Sequence, residues 1–107
     1  MTTLLVLYRR PEGGDEALAT FLRRYETEHL PLVAGTHGLR ATRVQRVAEA
    51  LGGETDLVVV TAMEFDDREA LDAGLASDAM RAAGRNLREI APGLATFLVV
   101  EDGLPGG

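Results

Sequence analysis

The chain contains no cysteine, no lysine and no tryptophan, and only two tyrosines and three phenylalanines. Without cysteine there is no disulfide, no thiolate metal site and no cysteine nucleophile, and a reducing, cytoplasmic setting is expected. Without lysine, Schiff-base chemistry is excluded and every cation is an arginine. The longest apolar runs fall far short of the ~20 residues needed to cross a bilayer, so no membrane partner is expected. Met1-Thr2-Thr3-Leu4 enters a strand-like segment with no basic leader or small-residue cleavage site, and no signal peptide is expected. Positive charge is also scarce. The formal net charge is −6, which argues against neutralising a phosphate backbone, so no nucleic-acid partner is expected either.

What is present suits one globular domain over residues 1–107. The chain is long enough for a single core and too short for two. Thr2 to Arg9 reads as a strand of β-branched, leucine and aromatic residues, broken by Pro11-Glu12-Gly13-Gly14. Asp15-Glu16 opens a helix whose apolar face carries Leu18, Phe21, Leu22, Tyr25 and His29 at three- and four-residue spacing. Pro31 is expected to end that helix at Leu30. Leu39 to Val47 and Asp56 to Phe65 read as two further strands around a Gly52-Gly53 turn.

Asp66 and Glu69 have the spacing of a capping box, with Phe65 as a staple against Ala70. Leu71 and Leu75 follow on that helix. Ser77-Asp78 restarts a helix to about Ile90, with Met80, Ala83, Leu87 and Ile90 on one face. After Pro92-Gly93, Leu94 to Glu101 forms a fourth strand, and 102–107 is a Gly/Pro tail expected to fray. The order β-α-β-β-α-β predicts an α+β, ferredoxin-like fold with a four-stranded antiparallel sheet.

The strands are apolar on both faces. Leu4 and Val6 oppose Leu5 and Leu7; Val58, Val60 and Ala62 oppose Leu57, Val59, Met63 and Phe65; Leu98 and Val100 oppose Phe97 and Val99. Two helical segments cover one face of such a sheet, and two-sided apolar strands are ordinarily buried on both faces. The uncovered face predicts a partner, and closed two-fold pairing with a second copy is the usual solution; a monomer with an unusually apolar exposed sheet is the alternative.

Tyr25 and His29 are the residues best suited to chemistry. Both are polar groups on the apolar face of the first helix. An imidazole there is suited to act as a general acid or base, and a phenol to donate to a developing oxyanion. Periodicity fits equally well with two satisfied core residues, His29 stabilising the helix C-terminus. Two histidines eight positions apart make no ligand set, so no metal is expected, and axial haem ligation by His29 is the weakest alternative. No cofactor is expected. Arg9, Arg43 and Arg46 suit an anionic group only if their side chains turn inward. His37 reads as a loop residue.

The run Tyr25-Glu26-Thr27-Glu28-His29-Leu30-Pro31-Leu32 resembles the Y-x-x-x-H-x-P-L signature of the EthD-like family, within the dimeric α+β barrel superfamily. Leu7-Tyr8-Arg9-Arg10-Pro11, Gly38-Leu39-Arg40, Phe65-Asp66-Asp67 and Ala76-Ser77 are similar to that family's strand ends and helix break. The resemblance implies a ferredoxin-like protomer, a homodimer packed sheet face to sheet face into an α+β barrel, and a small cavity between sheet and helices. Tyr25 and His29 would help line that cavity, with Arg9, Phe21, Thr42 and Met63 as further lining candidates. Thr42 and Glu64 stand where the family often carries bulky aromatics, which weakens the case for an aromatic substrate. The function implied is a small-molecule enzyme acting on a carbonyl-containing or polyketide-like substrate through His29, without a metal. Two alternatives stand beside it: a non-catalytic module binding a small organic ligand or serving catabolic metabolism, and a purely structural dimer.

Overall fold

The computed structural model describes residues 1–106; of the tail, Gly107 lies outside the described residues. The elements run β1 (Thr2–Arg9), α1 (Gly14–Arg24), a π-helical turn (Tyr25–His29), α2 (Leu30–Ala34), β2 (Ala41–Arg46), β3 (Leu57–Phe65), α3 (Arg68–Leu75), α4 (Asp78–Ile90) and β4 (Ala95–Glu101). The four strands form one antiparallel sheet in the order β2-β3-β1-β4, the ferredoxin-like arrangement expected from the sequence.

Register assigns the faces. Val6 sits opposite Thr61 on one side and Phe97 on the other, and Leu4 opposite Met63 and Val99. With Thr2, Tyr8, Val59 and Phe65 these point toward the helices and form the core with Phe21, Tyr25, Val33, Leu71, Ala83, Leu87 and Ile90. The alternate residues face the other way. Leu5 lies between Ala62 and Leu98, and Leu7 between Val60 and Thr96, on a face no helix covers. Leu98 and Val100 there are 40% and 39% exposed. The two-sided apolarity of the strands thus has the origin expected: one face is core and the other is open.

Three local expectations are corrected. Pro31 does not end the first helix; the chain stays helical to Ala34. In a regular α-helix the Pro31 ring would press on the Thr27 carbonyl. Here the preceding turn is widened, with the Leu30 N–H bonding five residues back to the Tyr25 carbonyl, and this relieves the clash. The Thr27 hydroxyl donates to the Arg23 carbonyl at 2.8 Å, occupying an acceptor in the widened stretch. The cap of α3 is Asp67 rather than Asp66. Asp67 Oδ1 accepts from the Ala70 N–H at 2.8 Å, whereas Asp66 leaves the helix end to pair with Arg40 at 2.9 Å. Leu22, placed on the apolar face of α1, lies at its edge and is exposed. The expected break at Ser77 holds: its hydroxyl caps α4 by accepting from the Met80 N–H.

Gly74 is the closest approach of α3 to the sheet. A Cβ there would lie 2.8 Å from Phe65 Cε1 and 3.0 Å from the His37 carbonyl, so only glycine fits. The helix layer covers β1 and β3 more fully than β4. Phe97 and Val99, on the helix-facing side of β4, are therefore 57% and 39% exposed. Among the described residues no helix is long and apolar enough to cross a membrane.

Candidate functional site

Two hollows open on the helix side. One, of about 770 Å³, lies between the β1–α1 turn and the end of α4. Phe21 is on its wall, and its charged groups are carboxylates and Arg24, which is bonded to Glu28 and Glu89. The other, of about 660 Å³, lies between the sheet and α3–α4. The second is the better candidate site. It is walled by apolar side chains of β1, β3, β4, α3 and α4, Phe97 among them, and three polar side chains interrupt that wall: Tyr8, His29 and Arg88. A mostly apolar cavity with a few convergent polar groups is the usual form of a small-ligand site.

His29 is 3% exposed. Its ring stacks on Tyr25 with centroids 5.1 Å apart. Its Nδ1 lies 3.3 Å from Asn86 Oδ1, and the Ala83 carbonyl is close by. Asn86 is oriented in turn, because its Nδ2 donates to Glu28 Oε1 at 3.0 Å, and a carboxylate only accepts. That leaves the Asn86 oxygen for His29 and assigns the imidazole proton to Nδ1, with the lone pair on Nε2. Glu28 is held by Arg24 through two contacts of 2.8 and 3.0 Å, and Arg24 also reaches Glu89 at 2.8 Å. Arg24 holds the Glu28 carboxyl below its ordinary range against a smaller opposing effect of burial, with Asn86 adding a lesser lowering. Burial lowers the His29 pKa, only partly offset by Asn86 and Ala83, so the ring is neutral near pH 7.

Tyr25 is placed beside this site rather than on its wall. It is buried, and its hydroxyl lies 2.6 Å from Thr61 Oγ1 on the helix-facing side of β3. Its phenol is raised by burial, with Thr61 acting against that shift. The phenol on the cavity wall is Tyr8, packed edge-on to Tyr25 with centroids 5.0 Å apart. Burial first, then the neighbouring Tyr25, pushes Tyr8 far above the usual tyrosine range, so it is a donor at any ordinary pH. Its hydroxyl is shut off from solvent yet meets no acceptor in hydrogen-bonding geometry, although Tyr25 is near enough to influence its titration.

Of the remaining candidates, Met63 lines the same cavity as His29, and Phe21 lines the other hollow while packing on Tyr8 and Tyr25. Arg9 lies at the strand end, its guanidinium donating to Thr96 Oγ1 at 3.0 Å and to the Gly93 carbonyl. Thr42 is exposed on edge strand β2, opposite Met63, and lines neither hollow. His37 is exposed in its loop. Among the described residues, no three His, Cys, Asp or Glu side chains converge as metal ligands would. Sequence reasoning missed Tyr8, Asn86, Arg88 and Gly84. Only Gly84 left a signal, as an isolated glycine inside a helical pattern.

No family model and no curated protein matches the sequence. Solved structures do. An EthD (ethyl tert-butyl ether D) family protein from Bacillus halodurans is 29% identical, over 96% of this chain and 99% of its own, with a TM-score of 0.84. A dimeric protein of unknown function with a ferredoxin-like fold from Bacteroides fragilis is 20% identical, over 94% of each chain, with a TM-score of 0.69. SnoaB from Streptomyces nogalater, a cofactor-independent oxygenase, is 14% identical, over 99% of this chain and 97% of its own, with a TM-score of 0.62. The last two share the fold. The first bears out the resemblance to the EthD-like family.

Proposed function

We propose that this EthD-like chain is a homodimeric small-molecule enzyme in which His29 moves a proton on a carbonyl-containing ligand held between the sheet and α4. One observation carries this reading: a buried imidazole on the wall of an apolar cavity, its Nδ1 3.3 Å from the Asn86 side-chain oxygen. Such a ring offers Nε2 as a base. When it accepts a proton, the new cation is steadied through Asn86 by the Glu28 carboxylate, itself anchored by Arg24. Tyr25 is the positioning residue. It stacks on the ring and is pinned to Thr61, so the imidazole is held by neighbours that are themselves fixed. The π-turn supports the reading, since such irregular turns are frequent at functional sites.

The partner copy is assigned to the open sheet face. Its central residues, Leu5, Leu7, Val60, Ala62, Leu98 and Val100, form a contiguous apolar surface of the kind that marks association. The dimeric state of the Bacteroides fragilis protein, which shares the fold, supports a dimer here.

The test works whichever ketone is the native substrate. The purified protein is incubated in D₂O with a panel of enolisable ketones, and loss of the α-proton signal is followed by NMR. Wild type should exchange faster than buffer, and His29→Gln should lose that excess while remaining a dimer. Equal exchange by both proteins would refute proton transfer by His29. Binding of a panel member with no exchange above buffer would favour the non-catalytic module, for which the largely aliphatic cavity wall is the supporting observation.

A further inference from the structure

Three features of the cavity wall remain without a role. Arg88, on α4, is the only residue with a permanent charge among those lining the cavity. Among the described residues it has no acidic partner; the same holds for Arg9, Arg23, Arg43, Arg46 and Arg85, but of these six only Arg88 lines the cavity. One turn before Arg88 is Gly84, and one turn after it is Pro92, so α4 itself offers it no carboxylate. Gly84 is the second feature. A glycine inside a helix is unfavourable, and packing does not require this one. A Cβ at Gly84 would meet nothing within 4 Å except the Arg88 guanidinium at 4.0 Å, in contrast to Gly74, where three atoms crowd it. What the missing methyl preserves is open space beneath Arg88. The third is Tyr8, whose fully buried hydroxyl makes no hydrogen bond of ordinary geometry, the Tyr25 hydroxyl beside it being bonded to Thr61. A buried donor left unpaired is costly, and a ligand oxygen is the group that would relieve it.

We propose that the cavity takes a slim organic carboxylate carrying a keto or enol oxygen: the carboxylate meets Arg88 at the mouth, the chain passes over Gly84, and the inner oxygen accepts the Tyr8 proton beside His29. This rests on the reading of the cavity as a ligand site and adds the substrate class and its selecting residues. An apolar body is required by the remaining lining, which is aliphatic side chains and Phe97. Gly84 acts as the width filter.

Dissociation constants for three matched probes test this: 4-oxodecanoate, its methyl ester and decanoate. The keto acid should bind about tenfold or more tightly than either of the others, the ordinary worth of one hydrogen bond to a charged or buried group. Arg88→Gln should abolish the preference for acid over ester and leave the preference for the keto group. Tyr8→Phe should do the reverse, and should melt at or above wild type because it removes an unpaired hydroxyl. Gly84→Leu should melt no lower than wild type and lose affinity for all three probes.

If all three probes bind equally and neither Arg88→Gln nor Tyr8→Phe changes that, the substrate class is wrong while the cavity stands as a ligand site. A Tyr8→Phe protein that melts lower with unchanged binding would overturn the role of Tyr8. If none of the three binds, both this inference and the ligand-site reading fall.

Discussion

Replacing Leu98 by arginine places a charge on the open sheet face, next to Leu5 on β1. Full burial of a leucine side chain is worth about 1.5–3 kcal/mol. Leu98 is still 40% exposed in the single chain, so its cover by a second copy contributes about 0.6–1.2 kcal/mol, counted twice in a two-fold dimer. The charge matters more. Each uncompensated buried ion costs about 3–5 kcal/mol, and two-fold symmetry buries two. Leu98→Arg should therefore raise the dimer dissociation constant by a factor on the order of 10⁴ or more. Leu98→Ala removes only the apolar part and should weaken association by at most about fiftyfold. In the separated protomer the introduced guanidinium is solvated on edge strand β4, so the far-ultraviolet circular dichroism at room temperature should be unchanged. Sedimentation velocity across the micromolar range reads the outcome. A wild type that sediments as a monomer, or a Leu98→Arg protein that stays dimeric, would refute the assignment of this face.

Two further outcomes follow from the site and the caps. Asp67→Ala should cost about 1 kcal/mol in urea denaturation through loss of the α3 cap, while Asp66→Ala, which breaks only an exposed ion pair, should cost well under that. Because burial lowers the His29 pKa below 6.5, the unfolded chain takes up a proton that the folded chain refuses. The contribution of neutral His29 to stability is full above about pH 6.5, and it is lost as the pH falls to and through the lower folded value. Melting temperature should decline with pH in that window for wild type and decline less for His29→Gln; equal slopes would show that His29 is not the group responsible. Glu28 acts in a separate window below 4.5, since its folded pKa is lowered as well and its pairing is lost only when it protonates.

Much of the fold was legible in the sequence because it depends on local periodicity. The alternation in Thr2–Arg9 and Leu57–Phe65 assigned each side chain to the correct face, since a strand has a period of two whatever it packs against. The Ala83, Leu87 and Ile90 stripe and the Ser77 cap were readable for the same reason, as was the unpartnered apolar face. The acidic balance and the missing cysteine and lysine narrowed the chemistry without any structure.

Tertiary packing decided the rest. Whether Pro31 ended the helix depended on a widened turn two residues earlier, and which aspartate capped α3 depended on where Arg40 lay across the sheet end. Asn86 lies 57 residues from His29, and no spacing rule links them. Tyr25 and Tyr8 are both aromatics on buried faces. Only the packed core shows that one hydroxyl is satisfied by Thr61 and the other is left unpaired on the cavity wall. Faces follow from backbone geometry, which each residue carries with it. A site depends on which side chains from distant elements meet, and that is settled only when the sheet and helices close on one another.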